Sequence, residues 1–391
     1  MAQKIGMEVS IALGEAAKLA NTDVIAAYPI TPQTHIVEHI ADMVANGEMD
    51  AEFITVESEH SAMSACLGSA AVGARTFTAT AGQGLELMHE VLYVASALRF
   101  PIVMTVANRA LSGPLNIWGD HSDVMATRDC GWIQFFVENG QEAFDLTLCA
   151  FRIAEDPTVM LPIMLNLDGF HLTHVVEPIT LIEKSDVDKF IPPLKHPFAL
   201  RPDKPVTMGA FAPPFIYTET KKAADEALRS SKKVIVSVWD EFGKRFGRHY
   251  NPVETYRTED AKTLLLTMGS YSETAMVAID NMRTKGEKVG LIHLRLWRPF
   301  PFAELKQATG NADNLFVLDR CVSLGGPGGP VCSEIKAAFY DSQKKLNIIG
   351  FVGGLGGRDM TPGDFEYMTK RGKEIVQNGA KNEVEMIGVK E

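Results

Sequence analysis

Apolar residues occur along the first 170 positions as short continuous runs, and stretches with helical spacing of apolar and polar residues separate these runs. Continuous apolar runs of roughly four to eight residues predict buried strands, whereas apolar residues three and four positions apart predict helices. Such alternation is typical of a parallel sheet covered on both faces. We therefore predict a doubly wound α/β domain at residues 1–175. Its strands are predicted at 24–28, 53–56, 76–80, 101–107 and 161–167, and its helices at 8–19, 33–44, 59–73, 85–98 and 142–154.

The pattern changes at residues 176–258, where apolar runs and helical stretches no longer alternate. Seven prolines fall between positions 192 and 214, and a long segment without alternation favours an extended connection packed on the first domain. One helix is predicted there, near 220–230. Alternation then resumes, so residues 259–391 are predicted to form a second, smaller α/β domain. Its strands are predicted at 263–268, 289–294, 315–318 and 348–352, and its helices at 273–282 and 301–308.

The charge and hydropathy of the chain exclude several classes of protein. The 391 residues carry a net charge of −11, which argues against nucleic acid or an anionic membrane surface as the main partner. No apolar run is long enough to span a bilayer. The N-terminal residues lack the basic and then apolar pattern of a signal peptide. We therefore expect a cytoplasmic protein.

The five cysteines are scattered along the chain, and no Cys-x-x-Cys pair occurs. This spacing excludes the usual iron–sulfur and zinc motifs, so we assign the chain no metal. Isolated cysteines in a protein of this kind are expected to be buried thiols rather than disulfides. Any metal cluster that the protein uses must then lie in another chain.

Ser58 and Glu59 follow the strand predicted at 53–56. We expect Ser58 to cap the next helix and Glu59 to lie in its first turn. In an open α/β sheet, ligands bind at the carboxyl ends of the strands, where a carboxyl among small apolar side chains can share a proton with a ring nitrogen. Alternatively, Glu57 and Glu59 only favour the positive end of the helix dipole, and position alone favours this alternative.

Two further loops follow predicted strands: one is made rigid by prolines, and the other has small residues that let its backbone approach a ligand. After the strand at 24–28, two prolines make a rigid loop that can present the Thr31 hydroxyl. Thr31 as N-cap with Pro32 at the first helical position would also be an ordinary helix start. The small residues at 78–84 let backbone approach a ligand closely but lack the ending of a phosphate loop. A tight strand-to-helix turn explains them equally well.

Arg109 directly follows the strand predicted at 101–107, where its guanidinium can bind a carboxylate through two hydrogen bonds. A structural salt bridge with Asp120 or Asp123 is an equally good interpretation. These two aspartates and His121 lie in the loop 117–123, and such a set is more often a hydrogen-bonded loop anchor than a group of metal ligands. We expect an anchor here and no metal.

Seven short motifs occur in order along the chain. They are Tyr28-Pro-Ile-Thr-Pro32, Ser58-Glu59, Thr78-Ala-Thr-Ala-Gly-Gln-Gly84, Ala107-Asn-Arg-Ala-Leu111, Ile117-Trp-Gly-Asp-His121, Asp168-Gly-Phe170 and Gly356-Gly-Arg-Asp359. Together they resemble the alpha subunit of the pyruvate:ferredoxin oxidoreductases, or pyruvate synthases, and of related 2-oxo acid oxidoreductases. The resemblance covers nearly the whole chain and fits the form of the enzyme that has separate subunits.

The resemblance implies a pyrimidine-type thiamine-diphosphate-binding domain followed by a transketolase C-terminal-like α/β domain. It also implies oxidative decarboxylation of a 2-oxo acid, with pyruvate as the first choice. Glu59 matches the glutamate that bonds the aminopyrimidine ring of the cofactor. Thr31 matches the threonine at the substrate, and Arg109 matches the arginine on the substrate carboxylate. Further residues expected beside the cofactor are Tyr28, Pro29 and Gln83.

The sequence lacks the Gly-Asp-Gly motif through which thiamine enzymes hold the diphosphate by way of a divalent metal. By the resemblance, Mg2+ and half of the cofactor site must come from a partner chain, and the [4Fe-4S] clusters from partner subunits. We therefore expect partner subunits of the beta, gamma and delta types. Ferredoxin is the expected electron acceptor, coenzyme A the cosubstrate and a small 2-oxo acid the substrate.

Three alternatives remain open. The substrate can be 2-oxoisovalerate, phenylglyoxylate or oxalate, although Thr31 and the apolar loop 111–115 favour a small neutral side group. The chain can be a Rossmann-type nucleotide binder that uses the glycine-rich loop 325–329 or 353–357, but neither matches Gly-x-Gly-x-x-Gly at a helix start. It can also be a non-catalytic assembly subunit, which the set of Glu59, Thr31 and Arg109 argues against.

Overall fold

Two largely parallel β-sheets organise the chain. The structure is a computed structural model that describes residues 4–380 and 384–390. The helices are α1 (Val9–Leu19), α2 (Thr34–Ala45), α3 (Glu59–Ala71), α4 (Gly82–Leu87), α5 (His89–Ala97), α6 (Ser122–Ala126), α7 (Gly140–Ala154), α8 (Lys184–Phe190), α9 (Pro214–Phe246), α10 (Tyr271–Thr284), α11 (Phe302–Thr309), α12 (Pro330–Phe339) and α13 (Pro362–Asn378). The strands are β1 (Lys4–Glu8), β2 (Val24–Ala27), β3 (Glu52–Thr55), β4 (Thr76–Thr80), β5 (Val103–Asn108), β6 (Ile133–Phe136), β7 (Ile163–Asp168), β8 (Val176–Thr180), β9 (Val253–Tyr256), β10 (Thr263–Thr267), β11 (Val289–Leu294), β12 (Leu296–Arg298), β13 (Asn314–Asp319), β14 (Asn347–Val352) and β15 (Glu385–Met386).

The first sheet has seven strands in the order β12-β6-β7-β5-β4-β2-β3. Its neighbours run parallel, apart from β12, which pairs antiparallel with β6. Strands β4, β5, β6 and β7 are buried along their whole length, as strands covered on both faces must be. The predicted doubly wound parallel sheet is confirmed. We call residues 4–246, which supply every strand of this sheet except β12, the first unit.

Strand β3 is an exception, because it lies at the edge of the first sheet and pairs only with β2. Glu52 and Thr55 are exposed, and Phe53 and Ile54 are half buried. The prediction of a buried strand at 53–56 is therefore wrong, since an edge strand leaves one side uncovered.

Helix α3 begins as predicted. Ser58 is its N-cap and accepts a hydrogen bond from the Ser61 backbone amide at 3.2 Å. The buried face of α3 includes Ala62 and Cys66, whose small side chains let the helix pack closely on the sheet. This start places Glu59 in the first turn.

The segment between the two sheets departs furthest from the prediction. Instead of an extended connection with one short helix, it contains α8 and the 33-residue helix α9, which includes the helix predicted near 220–230. The second half of α9 buries Ile235, Trp239 and Phe242 in the core of the first unit, whereas no residue from 214 to 230 is buried. The prediction is wrong because Pro213 and Pro214 stand at the start of the helix, where proline is favoured, rather than inside it.

The second sheet has six strands in the order β15-β14-β13-β10-β11-β9, and only β9 runs antiparallel to its neighbour. We call it, with its helices, the second unit, from residue 253 onward. Helices α12 and α13 were not among the predicted elements, although Thr361 and Asp364 form a capping box at the start of α13. Strand β12 lies within the second unit in sequence but pairs with β6 of the first sheet. The predicted domain boundaries at 175 and 259 stay a prediction.

The carboxyl ends of the two sheets face each other. Asp168 at the end of β7 accepts hydrogen bonds from the Ser270 amide at 2.8 Å and from Ser270 Oγ at 2.5 Å. It also accepts from Arg320 Nη1 and lies 3.0 Å from His121 Nε2. Ser270 and Arg320 follow β10 and β13 of the second unit. The strand ends at which α/β proteins bind ligands therefore lie at the junction of the two units.

Candidate active site

The first sheet reverses its strand order at β2. The chain passes from β2 to β3 on one side and then crosses over to form β4 on the other side. The connections that leave the neighbouring strands β2 and β4 therefore run in opposite directions. They open a crevice at the carboxyl ends of these two strands, where ligands bind in open α/β sheets. Thr31 lies in the loop after β2, Gln83 lies in the first turn of α4, which follows β4, and Glu59 follows the adjacent β3. The topology therefore places three of the predicted site residues around one crevice.

Glu59 is a buried carboxyl in this crevice, with only 6% of the residue exposed. It packs beside Gly84 and Thr80, because a Cβ atom added to Gly84 would lie 2.7 Å from Glu59 Oε1 and 2.6 Å from Thr80 Oγ1. Within residues 4–380 and 384–390, the Glu59 carboxyl has no hydrogen-bond or ion-pair partner. Buried polar groups are normally paired, so this carboxyl is available to a ligand.

Glu57 differs from Glu59 in every one of these respects. It is exposed, and its carboxylate accepts a hydrogen bond from Ser61 Oγ. This hydrogen bond lowers the pKa of Glu57. Only Glu59 is therefore buried and free to bind a ligand.

The loop after β2 is held by a residue that the sequence analysis missed. Gln33 is fully buried; its Nε2 donates to the Ala79 carbonyl at 2.8 Å, and its Oε1 accepts from the Ile30 amide at 3.2 Å. Gln33 is also the N-cap of α2, so the interpretation of Thr31 as an N-cap is wrong. Thr31 is exposed, and its hydroxyl is not used to start the helix. The signal in the sequence was a glutamine directly after the second proline.

Arg109 lies between the loops after β2 and β4. Its Nε donates to the Asn116 carbonyl at 3.0 Å and its Nη1 to the Thr31 carbonyl at 3.0 Å, and its side chain packs on Gly82. In the part of the chain that the structure describes, no carboxylate forms a salt bridge with its guanidinium. The interpretation as a salt bridge to Asp120 or Asp123 is therefore wrong. Burial lowers the pKa of Arg109, but a guanidinium remains charged at neutral pH.

Asp123 ties the backbone of this site together. Its Oδ2 accepts the amide of Gly82 at 3.0 Å and the amide of Arg109 at 2.9 Å, and its Oδ1 accepts from Asn108 Nδ2 at 3.1 Å. Burial raises the pKa of Asp123 to about 7. The neighbouring Asp120 accepts from the Ser122 amide at 2.9 Å. The loop 117–123 is thus a hydrogen-bonded anchor, as the sequence predicted.

Two further polar atoms on the elements beside Glu59 lack partners among the described residues. Thr80 Oγ1 and Gln83 Oε1 are buried and have no partner in the described residues. Gly82 and Gly84 leave backbone close to the crevice. Glu59, Thr80 and Gln83 are therefore candidates for hydrogen bonds to a ring with donors and acceptors, such as the aminopyrimidine ring of thiamine diphosphate.

The described residues offer no set of metal ligands at this site. Among residues 4–380 and 384–390, no group of three or more His, Cys, Asp or Glu side chains is arranged to hold a metal ion. A cavity of about 610 Å3 lies elsewhere, between α5, α9 and α12. It contains none of the predicted site residues, so we assign the chemistry to the crevice on topology and unpaired polar groups rather than on volume.

Comparisons with known proteins cover most of the chain. The family model "Pyruvate flavodoxin/ferredoxin oxidoreductase, thiamine diP-bdg" matches residues 15–240, and "Pyruvate:ferredoxin oxidoreductase core domain II" matches residues 261–365. Pyruvate synthase subunit PorA of Methanothermobacter thermautotrophicus is 48% identical over 97% of this chain and 97% of its own length. Pyruvate synthase subunit PorA of Methanocaldococcus jannaschii is 50% identical over 91% of this chain and 91% of its own length.

A solved structure has the same fold. The 2-oxoglutarate:ferredoxin oxidoreductase from Magnetococcus marinus, solved with 2-oxoglutarate, coenzyme A and succinyl-CoA bound, aligns with 96% of this chain with a TM-score of 0.73. This chain spans 66% of that chain, and the sequence identity is 20%. The likeness supports the fold.

Proposed function

The chain belongs to the pyruvate flavodoxin/ferredoxin oxidoreductase family, and we propose that it is the alpha subunit of a pyruvate synthase. In the proposed reaction, pyruvate and coenzyme A give acetyl-CoA and CO2, and two electrons pass to ferredoxin; the reaction is reversible. One observation carries the proposal: Glu59 is buried where the first sheet reverses its strand order, and it has no partner within the described residues.

When bound, thiamine diphosphate supplies the nucleophile and the electron sink that cleavage of a 2-oxo acid requires. The proposed task of Glu59 is to share a proton with the N1′ atom of the aminopyrimidine ring. A positioned carboxyl is an ordinary general acid–base group. Tyr28 and Pro29 are proposed to contact the same ring from the loop after β2, and Gln83 from the first turn of α4.

Arg109 is proposed to bind the substrate carboxylate. A guanidinium has five N–H donors, and the Asn116 and Thr31 carbonyls use one on Nε and one on Nη1. The remaining donors belong to Nη1 and Nη2, a pair that can bind both oxygens of a carboxylate. The Thr31 hydroxyl is proposed to donate a hydrogen bond to the substrate oxygen.

The rest of the cofactor site is proposed to come from partner chains in a cytoplasmic complex. The sequence has no Gly-Asp-Gly motif, and Tyr28, Pro29 and Thr31 are exposed, which suits a site closed by another subunit. Subunits of the beta, gamma and delta types would hold Mg2+, the diphosphate and the [4Fe-4S] clusters.

The structure argues against a nucleotide-binding function for the glycine-rich loops. Asp319 accepts the amides of Val331 at 2.7 Å and Cys332 at 3.0 Å, so a carboxyl lies at the start of α12, after the loop 325–329. A nucleotide phosphate would need that position. The loop 353–357 packs against the first unit through Gly356 and Gly357.

The test of the proposed function is reduction of a viologen dye by the native complex, with and without coenzyme A. Pyruvate should give the highest kcat/KM when it is compared with 2-oxoisovalerate, phenylglyoxylate and oxalate. A preference for one of the other acids would replace pyruvate as the substrate. If no 2-oxo acid reduced the dye, the complex would not be a 2-oxo acid oxidoreductase and the proposed function would be wrong.

A further inference from the structure

The loop 353–358 follows β14 of the second unit and contacts the first unit. It contains a single 3-10 turn at Leu355–Gly357. The Gly357 amide donates to the Gly119 carbonyl at 2.8 Å, and the Gly356 amide donates to Asp120 Oδ2 at 3.1 Å. The loop therefore binds the same segment of the first unit that follows Arg109.

Asn116 connects this contact to Arg109. Its Nδ2 donates to the Gly356 carbonyl at 3.1 Å, and its Oδ1 accepts the Trp118 amide at 2.7 Å. Its backbone carbonyl accepts from Arg109 Nε at 3.0 Å. Residues 112–115 on one side of Asn116 are exposed, so the position of this carbonyl depends on the contacts that the Asn116 side chain makes.

The loop can approach Asn116 this closely because it is made of glycines. Gly356 has φ +56° and Gly357 has φ +78°, backbone conformations that other residues rarely adopt. A Cβ atom on Gly356 would lie 2.4 Å from Asn116 Nδ2, and one on Gly357 would lie 2.3 Å from Trp118 Cβ. A side chain at Gly356 would therefore push the Asn116 amide group out of its hydrogen-bonded position, and one at Gly357 would displace the Trp118 side chain.

We propose that the loop 353–358 is a positioning element for the substrate-binding guanidinium, and that Asn116 is the positioning residue through which it acts. The inference rests on the proposed function of Arg109. The second unit fixes Asn116, the Asn116 carbonyl fixes Nε, and the Thr31 carbonyl fixes Nη1. The guanidinium plane then keeps one orientation, which binding of both carboxylate oxygens requires.

The test substitutes glycines that share a backbone conformation but not a neighbour. In Gly356→Ala the new methyl group meets Asn116. In the control, Gly286→Ala, φ is +85° and nothing lies within 4 Å. In the native complex, Gly356→Ala should raise KM for the 2-oxo acid about tenfold, which corresponds to about 1.4 kcal/mol. It should leave kcat and KM for coenzyme A within about twofold. Gly286→Ala should leave every one of these constants unchanged.

A second variant removes the contact without adding volume. Asn116→Asp keeps the acceptor for the Trp118 amide but cannot donate to the Gly356 carbonyl, so it should raise KM as Gly356→Ala does. Because both changes break one contact, the double variant should raise KM less than the product of the two single effects.

Two outcomes would overturn the inference. The first is a normal KM in Asn116→Asp and Gly356→Ala while Arg109→Lys raises KM strongly, which would leave the proposed function standing. The second is a fall in kcat and melting temperature at unchanged KM, which would make the contact only structural. A normal KM in Arg109→Lys would instead remove Arg109 from the substrate site and contradict the proposed function itself.

Discussion

The two units share one strand arrangement and use it in opposite ways. In each sheet, one strand lies between the next two strands that the chain adds to that sheet. In the first sheet β2 lies between β3 and β4, and in the second sheet β10 lies between β11 and β13. In the first unit the crevice at this point contains Glu59, which has no partner within residues 4–380 and 384–390. In the second unit Asp168 of the first unit occupies the corresponding position, held by Ser270 and Arg320.

The difference lies in how a buried carboxyl is paired. Burial by itself would raise the pKa of Asp168, but Arg320, His121 and Ser270 together hold it well below its ordinary value. Asp168 therefore joins the two units as a fully paired anion. The same topology thus provides a binding site where the carboxyl is left unpaired, and a structural joint where it is paired.

The largest expected effect tests the unpaired carboxyl. Glu59→Gln keeps the shape of the side chain but cannot share a proton with a ring nitrogen, so turnover should fall about 10²–10⁴-fold, as is typical of acid–base steps. We would measure dye reduction at saturating pyruvate, exchange of the C2 proton of bound thiamine diphosphate, and thermal melting.

Glu57→Gln is the matched control, because Glu57 lies two residues away and is exposed. Its turnover should stay close to that of the native enzyme. If instead both variants lost only about 0.3–1 kcal/mol of stability and kept normal proton exchange, Glu59 would be a helix-dipole residue. The contrast with Asp168 would then disappear.

The next effect is on stability and concerns the paired carboxyl. Asp168→Asn leaves Arg320 buried without its anion, and removing one partner of a buried pair typically costs about 3–5 kcal/mol. The free energy of unfolding in urea measures this loss. Asp359→Asn is the control, since its contact with His171 at 3.3 Å is exposed and should contribute less than about 1 kcal/mol.

The pH dependence of this variant has a definite sign. A depressed folded pKa means that the stabilisation by ionised Asp168 is present above about pH 4, the unfolded value, and is lost as the pH falls through the folded pKa. The advantage of the native chain over Asp168→Asn should therefore shrink only below about pH 4. An advantage that is constant down to pH 2 would show that the Asp168 charge does not join the two units.

The smallest effect concerns Asp123, which is an intermediate case, because its partners are uncharged N–H donors. Its folded pKa of about 7 lies above the unfolded value, so its stabilising contribution is complete below about pH 4 and is lost as the pH rises through 7. Between pH 5 and 8, the unfolding free energy of the native chain should fall relative to that of Asp123→Asn. Parallel curves for the two proteins would mean that Asp123 is ionised throughout this range.

The sequence correctly predicted those features that depend only on residues close together in the chain. Strands β4 and β11 occupy the predicted residues, and the Ser58 cap with Glu59 behind it was readable because a cap and a first turn depend only on neighbours in sequence. The helix predicted near 220–230 lies within α9, but its full length of 33 residues was missed, because the second half, which buries Ile235, Trp239 and Phe242, was assigned to an extended connection.

The pairing of the site residues could not be read from the sequence at all. Asp168 is hydrogen-bonded to Arg320, 152 positions away in the sequence, and Asn116 is hydrogen-bonded to Gly356, 240 positions away. Such contacts follow from the way the two sheets face each other. The loop with Asp123 was recognised as an anchor, but which amides it holds depends on the fold. The assignments of Glu59, Thr31, Arg109, Tyr28, Pro29 and Gln83 stay predictions until the variants are made.

The antiparallel strand β12 has a consequence for how the chain reaches its folded state. Leu296 and Arg298 pair with Phe135 and Gln134 of β6, and Trp297 between them is fully buried. A chain ending at residue 258 would expose the edge of β6, a surface prone to intermolecular pairing. During synthesis the ribosome must add about forty residues beyond that point, which takes roughly 2–8 s. The sheet of the first unit is therefore completed only after β9, β10, α10 and β11 of the second unit have been translated.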